Sequence, residues 1–205
     1  MKKFFYITII LIIILLSGFF FWKLMLSPQY SLKQLEKAMD KQDVVAFNKY
    51  LDLDVVVDNF IDDTWQYYTS NGEIGDKWGD IRNEIGNSLL SVVKPGLKEI
   101  IKKEVIDYIA TGEWISNKSK NDNGISSIII NIFKDRINPD AWDKKTINYS
   151  KVEDNIAYVG LTYYDKKIDS NFLIEIKLRN MKGYWQVIEI VNIPKILNMY
   201  QNINE

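Results

Sequence analysis

Histidine and cysteine are both missing from this chain of 205 residues. Without histidine, the chain lacks the commonest general base and the commonest ligand of transition metals. Without cysteine, disulfides, thiolate chemistry and zinc–thiolate sites are excluded. Proline is scarce, with four residues, and there is no internal repeat or long block of like charges. An enzyme built on this sequence would depend on carboxylates, lysine, tyrosine or serine.

An uncharged, mostly apolar run extends from Phe4 to Trp22, between lysines on both sides. At about 1.5 Å per helical residue it would be roughly 28 Å long, close to the thickness of a bilayer's hydrocarbon core. Its isoleucine, leucine and phenylalanine side chains partition well into lipid. The run therefore predicts a transmembrane segment, and we assign residues 1–27 to a short cytoplasmic tip and this anchor.

A cleaved signal peptide is the main alternative for this run. Cleavage needs small residues one and three positions before the cut, but a cut after Gly18 meets Leu16 and a cut after Ser27 meets Met25. A lipoprotein signal is excluded because Phe19 stands where the lipidated cysteine is required. We therefore predict an uncleaved signal anchor.

The orientation of the anchor follows from its flanking charges. Lys2, Lys3 and the terminal amine favour an N-terminus in the cytoplasm, whereas the far side also carries basic residues, namely Lys23, Lys33, Lys37 and Lys41. We predict a single-pass protein of the cell membrane with its N-terminus inside and its body outside the cytoplasm. A tether that faces the cytoplasm is the alternative.

Residues 28–205 are long enough for one domain with a sizeable core. The chain has 26 Lys and Arg against 27 Asp and Glu, and three of those lysines flank the apolar run, which leaves the body at about −4. A negative body argues against nucleic acid as a partner.

The first part of the body has the spacing of helices, from about 31 to 137. Ser31 and Gln34 form a capping-box pattern, Asp43 and Asp54 are predicted caps of two further helices, and Pro95 suits the start of another. From about 146 to 193 the period changes to that of strands, with Phe172, Ile174, Ile176 and Leu178 alternating with Leu173, Glu175, Lys177 and Arg179. The sequence thus predicts an α+β fold, in which helices pack on an antiparallel sheet of three to four strands.

Several short blocks along the body carry a resemblance to a known family. They are Ser27-Pro28, Tyr30-Ser31-Leu32, Asp43-x-x-x-Phe47-x-x-Tyr50-Leu51-Asp52, Asn138-Pro139-Asp140-Ala141-Trp142, Gly183-Tyr184-Trp185-Gln186-Val187-Ile188 and Ile193-Pro194. In this order they resemble a family of bacterial membrane-anchored proteins catalogued only as a domain of unknown function. The resemblance implies an anchor, a helical hairpin and a final strand hairpin that contains a tryptophan. It implies no activity, cofactor or catalytic residue, and the turn at 180–183 is shorter than the family often has. The hairpin is also similar to those of nuclear-transport-factor-2-like domains, an analogy of fold alone.

Asp54, Asp58 and Asp62 recur every four residues, with Asp52 and Asp63 nearby. On a helix they would form a stripe of oxygen atoms of the kind that calcium and magnesium prefer, or a pair of carboxylates for acid–base catalysis. A solvated helix face is the ordinary meaning of such a pattern. We therefore assign no catalytic, cofactor or metal site to these residues and keep them as an alternative.

Ser91 and Lys94 match the Ser-x-x-Lys motif of penicillin-recognising enzymes. In those enzymes the motif opens a helix, whereas here it is predicted at the end of one, directly before Pro95. The companion motifs are missing, since Lys145-Thr146 is not followed by glycine. A chance match is the better interpretation.

Aromatic residues are the remaining candidates for a binding site. Tyr67, Trp78 and Trp114 lie near glycines or loops and could line a pocket for a sugar, peptide or lipid, whereas Trp185 is predicted to be a core residue. The favoured function is therefore a non-catalytic binding or interaction domain of the bacterial cell envelope, held at the membrane. Its expected partners are the bilayer, through residues 4–22, and either another envelope protein or a small apolar ligand; no cofactor is expected. The alternative is a carboxylate- or metal-dependent hydrolase that acts on envelope material.

Overall fold

A computed structural model describes residues 2–70, 87–114, 142–166 and 169–201 of the chain. These residues form six helices and a four-stranded antiparallel sheet, so the chain has the predicted α+β fold. The helices are α1 (Lys2–Met25), α2 (Pro28–Asp40), α3 (Val44–Tyr50), α4 (Leu53–Ser70), α5 (Asn87–Thr111) and α6 (Ile193–Gln201). The strands are β1 (Trp142–Glu153), β2 (Ile156–Asp165), β3 (Ser170–Asn180) and β4 (Trp185–Ile190). Trp78 and most of the block at 138–142 lie outside the described residues.

The N-terminal apolar run is helical from Lys2 to Met25. Among the described residues, no helix by itself meets the criteria of length and hydropathy for a membrane span. The part of α1 from Ile9 and the whole of α2 meet them only as a pair, which bends by 62° where the helices join.

Helix α2 starts earlier than its capping-box pattern predicts. Ser27, not Ser31, is the N-cap, and its hydroxyl accepts a hydrogen bond from the Tyr30 amide at 3.2 Å. The helix begins at Pro28 because proline has no N–H to leave unpaired in the first turn. Ser31 lies inside the helix, where its buried hydroxyl accepts a hydrogen bond from the Trp185 amide at 2.9 Å.

The predicted cap of α3 is confirmed, and that of α4 is displaced by two residues. Asp43 accepts a hydrogen bond from the Ala46 amide at 2.9 Å, as an N-cap does. At the start of α4 the corresponding bond goes from the Val55 amide to Asp52 at 3.3 Å, so Asp54 lies in the first turn instead. Asp52 takes this position because its own amide is bound to the Val187 carbonyl of β4, at 2.9 Å.

Pro95 does not open a helix; it lies inside α5. A proline in a helix interior removes one backbone hydrogen bond and favours a break. Packing outweighs that cost here, because Val93 on one side of the proline and Leu97 and Ile101 on the other all contact the main core. The Ser91-x-x-Lys94 motif is consequently an interior segment of α5 and not a helix start.

The sheet has the strand order β1-β2-β3-β4 and begins at Trp142 rather than near 146. The register places Ala157 opposite Leu178, and Leu178 opposite Val187. These side chains face the helices. Trp185 is buried in the same cluster, which confirms its predicted role as a core residue. The larger core lies between α4, α5, α6 and the sheet and includes Val57, Phe60, Ile61, Ile101, Phe172, Ile174 and Leu197.

A short helix follows β4 that the sequence reading did not predict. The buried Asn192 closes the strand: its side-chain oxygen accepts from the Glu175 amide at 2.9 Å, and its amide nitrogen donates to the Leu173 carbonyl at 2.7 Å. The side chain thus pairs with β3 as a further strand residue would. The backbone is then free to turn into α6, whose Ile193, Ile196 and Leu197 are buried.

Candidate functional site

The three aspartates of the acidic stripe lie on the outer face of α4, opposite three lysines of α5. Lys94, Lys98 and Lys102 share the four-residue spacing of Asp54, Asp58 and Asp62, and the two rows pair in antiparallel order. The Lys94 ammonium lies 3.1 Å from Asp58 and 2.8 Å from Asp62. Lys98 lies 3.5 Å from both Asp54 and Asp58, and Lys102 lies 2.9 Å from Asp54. We call these six residues the Asp–Lys ladder.

The ladder stabilises the charged form of Asp54, Lys94 and Lys102. The hydrogen bond from Lys102 lowers the pKa of Asp54, against a smaller opposing effect of desolvation. The same bond raises the pKa of Lys102. For Lys94, partial burial works to lower the pKa, but hydrogen bonds and charge interactions with Asp62 and Asp58 outweigh it and raise the pKa. Groups with these shifts stay ionised at neutral pH, which suits ion pairing and not proton transfer.

This arrangement argues against a hydrolytic site at the stripe. The carboxylates form a row along a helix, each beside an ammonium group, and do not converge in a cleft. In the described ranges there is no group of three or more aspartates and glutamates placed to hold a metal ion. Lys94 of the Ser-x-x-Lys match is itself part of this ladder, because its ammonium pairs with two aspartates of α4.

An apolar cavity of about 140 Å³ lies between the helices and the end of β4. All its lining residues are apolar or aromatic, and they come from α2 to α6, β4 and the residues near them. They are Met39, Phe47, Leu51, Leu53, Val56, Val57, Phe60, Val105, Tyr108, Ile109, Trp114, Ile190 and Ile193. Its volume is close to that of an engineered apolar cavity of about 150 Å³ that accepts benzene.

Trp114 closes one side of the cavity, and the end of α5 explains its position. Gly112 has a φ of +76°, and its amide donates to the Tyr108 carbonyl at 2.8 Å, so the helix ends in a left-handed glycine. The chain then folds back, and the Trp114 ring stacks on the ring of Tyr108 at 4.4 Å between centroids. The two stacked rings form a flat aromatic wall beside the aliphatic lining.

Of the aromatic residues predicted to line a pocket, the two that the structure describes lie in different places. Trp114 lines the cavity, whereas Tyr67 is buried in the main core. The sequence reading missed the aliphatic part of the site, including Met39, Val57 and Val105. Their helical spacing is that of any core residue, so no signal in the sequence distinguishes residues that line a cavity from residues that pack in the core.

Comparison of the chain with family models, with curated proteins and with solved structures finds no match in any of the three. The resemblance to the family of bacterial membrane-anchored proteins and the analogy to nuclear-transport-factor-2-like domains therefore stay predictions.

Proposed function

We propose that this protein is a membrane-anchored, non-catalytic binding domain of the bacterial cell envelope, and that the apolar cavity is its binding site. The cavity is the observation that carries the proposal. Native protein cores have few voids larger than a water molecule, and this cavity is several times that size. The ligand is a small hydrocarbon group of about six carbon atoms, such as a ring or the end of an acyl chain.

The surface of α1 supports the anchor. Its large apolar side chains are exposed continuously from Ile9 to Leu16, which is more than two helical turns and therefore every side of the helix. Such a helix has no polar face to turn toward water. A lipid bilayer is an environment that would cover the apolar side chains on every side of α1 at once.

The binding site is tested by filling it. Val105→Phe places a larger side chain against the cavity, whereas Val159→Phe makes the same change at a buried strand position that does not line it. We expect Val105→Phe to change the free energy of unfolding by less than about 1 kcal/mol, and Val159→Phe to cost about 1–3 kcal/mol through overpacking. The measurement is denaturation of the full chain in detergent.

Ligand binding is then measured on the same proteins. Benzene, or xenon followed by NMR, should raise the unfolding midpoint of the wild type and leave that of Val105→Phe unchanged. Equal destabilisation by both phenylalanines, with no benzene effect on the wild type, would show that the site is ordinary core. For the natural ligand, the protein is isolated from native membranes after mild crosslinking, and its organic extract and bound proteins are identified by mass spectrometry.

A further inference from the structure

One end of the sheet is fastened to the end of the anchor helix. Only Leu26 and Ser27 separate α1 from α2. The indole N–H of Trp185, the first residue of β4, donates to the Leu26 carbonyl at 2.8 Å. The Trp185 amide is also bound to Ser31 in the first turns of α2. The turn between β3 and β4 therefore lies beside the point where α1 ends.

This turn is held rigid by hydrogen bonds. The Asn180 side chain accepts from the Lys182 amide at 2.8 Å, and the Met181 amide donates to the Tyr184 carbonyl at 2.8 Å. The Asn180 amide donates to Asn155, in the turn between β1 and β2, also at 2.8 Å. The two turns consequently form one surface, and the positions of Met181 and Lys182 on it are set before anything binds.

The side chains of this surface combine apolar, aromatic and basic groups. Met181 is 38% exposed, and Lys182 beside it is exposed. The Lys49 ammonium lies 5.0 Å from the ring centre of Tyr184 and 5.3 Å from that of Tyr50. Tyrosines and lysines with an apolar neighbour are the groups enriched where a protein meets lipid headgroups.

The acidic groups at this end of the sheet are largely balanced. Glu153 is paired with Lys151, and Asp52 lies 3.2 Å from the Arg179 guanidinium. Asp154, in the turn between β1 and β2, is a further acid that faces solvent. Lys49 and Lys182 outweigh it, so the surface carries a small positive charge.

We propose that Met181, Lys182, Tyr184, Lys49 and Tyr50 form a surface that rests on the headgroup layer of the bilayer that holds α1. This inference depends on the membrane anchor of the proposed function but not on the cavity. The surface faces the membrane because the Trp185–Leu26 bond leaves it beside the anchor's end. The opposite end of β3, at Ser170, lies about 34 Å away at roughly 3.4 Å per strand residue.

The test uses single cysteines, which the cysteine-free chain makes specific. Met181→Cys and Ser170→Cys, at the two ends of β3, each receive a spin label, and the full chain is reconstituted in lipid vesicles. We expect collisions with a water-soluble paramagnetic reagent to be at least threefold less frequent at position 181 than at position 170. Equal collision rates at the two positions, in protein that floats with the vesicles, would overturn the proposal.

Charge reversal separates headgroup contact from other causes of protection. In vesicles with anionic lipid, Lys49→Glu combined with Lys182→Glu should return position 181 to the accessibility of position 170, and Lys41→Glu, at the other end of α2, should not. Protection that depends on the ratio of protein to lipid would indicate a second copy on the surface and would refute the lipid contact. Protein that fails to float would instead refute the anchor itself, so the two failures are distinguishable.

Discussion

At the scale of single residues, Gly112 has a conformation that other residues adopt at a cost. Its φ of +76° lies in the left-handed region, and a Cβ there would lie 3.3 Å from the Nε2 atom of the Gln42 side chain. We expect Gly112→Ala to lower the free energy of unfolding by about 1–2 kcal/mol. It should also weaken benzene binding, because Trp114 depends on this turn for its place in the cavity wall.

Gly96 provides the matched control. It lies inside α5, and a Cβ there would meet nothing within 4 Å. Gly96→Ala should therefore raise the free energy of unfolding by about 0.5–1 kcal/mol, because alanine favours the helix more than glycine does. Denaturant titration of both variants measures the difference in sign, and two changes of the same sign would contradict the described end of α5.

At the scale of elements, the Asp–Lys ladder joins α4 to α5. Asp58 contacts two lysines, Lys94 and Lys98, whose side chains are only 20% and 25% exposed. We expect Asp58→Asn to cost about 0.5–1 kcal/mol at low ionic strength, and much less in 1 M salt, since screening weakens partly exposed pairs. Asp107→Asn, which breaks a pair within α5 alone, should leave the contact between the helices unchanged.

The ladder also sets a range of pH for this stabilisation. The folded pKa of Asp54 lies below its ordinary value of 3.8, so its contribution is present above that value and is lost as the pH falls through the folded pKa. The folded pKa of Lys102 lies above 10.5, so its contribution is present below that value and is lost as the pH rises further. The difference in stability between the wild type and Asp54→Asn should therefore be constant from about pH 5 to pH 9 and shrink as the pH falls below about 4. A difference that instead peaked near neutral pH would mean that other groups control it.

Sequence periodicity was sufficient for most elements but not for their ends. Alternation in β3 and helical spacing in α2 to α5 are local properties, so they are visible in the chain itself. The capping of α4 by Asp52 and the passage of α5 through Pro95 depend on β4 and the core, which are distant in sequence. The acidic stripe was visible, but its meaning depended on Lys94, Lys98 and Lys102, whose equal spacing becomes informative only when the two helices are side by side.

At the scale of the whole molecule, the proposed orientation places the body outside the cytoplasm. We expect a protease added to intact cells without their wall to cleave the body, since residues 28–205 would lie on the accessible side. The control is the same digestion after detergent permeabilisation. A body that resists the protease in intact cells and is cleaved only after permeabilisation would reverse the orientation and support the cytoplasmic tether.

The short junction at Leu26 and Ser27 has a consequence for how the domain meets its ligand. Met39, on the cavity wall, lies about 17 Å along α2 from Pro28, at roughly 1.5 Å per residue. With α1 in the bilayer, every copy of the cavity is confined to a thin layer above the membrane. Encounters with a ligand in that layer then depend on how many molecules share an area and not a volume, so a ligand held in the same membrane meets the cavity more often than one diluted in the surrounding solution. A weak, small hydrocarbon site is therefore sufficient for occupancy there, where the same site free in solution would be mostly empty.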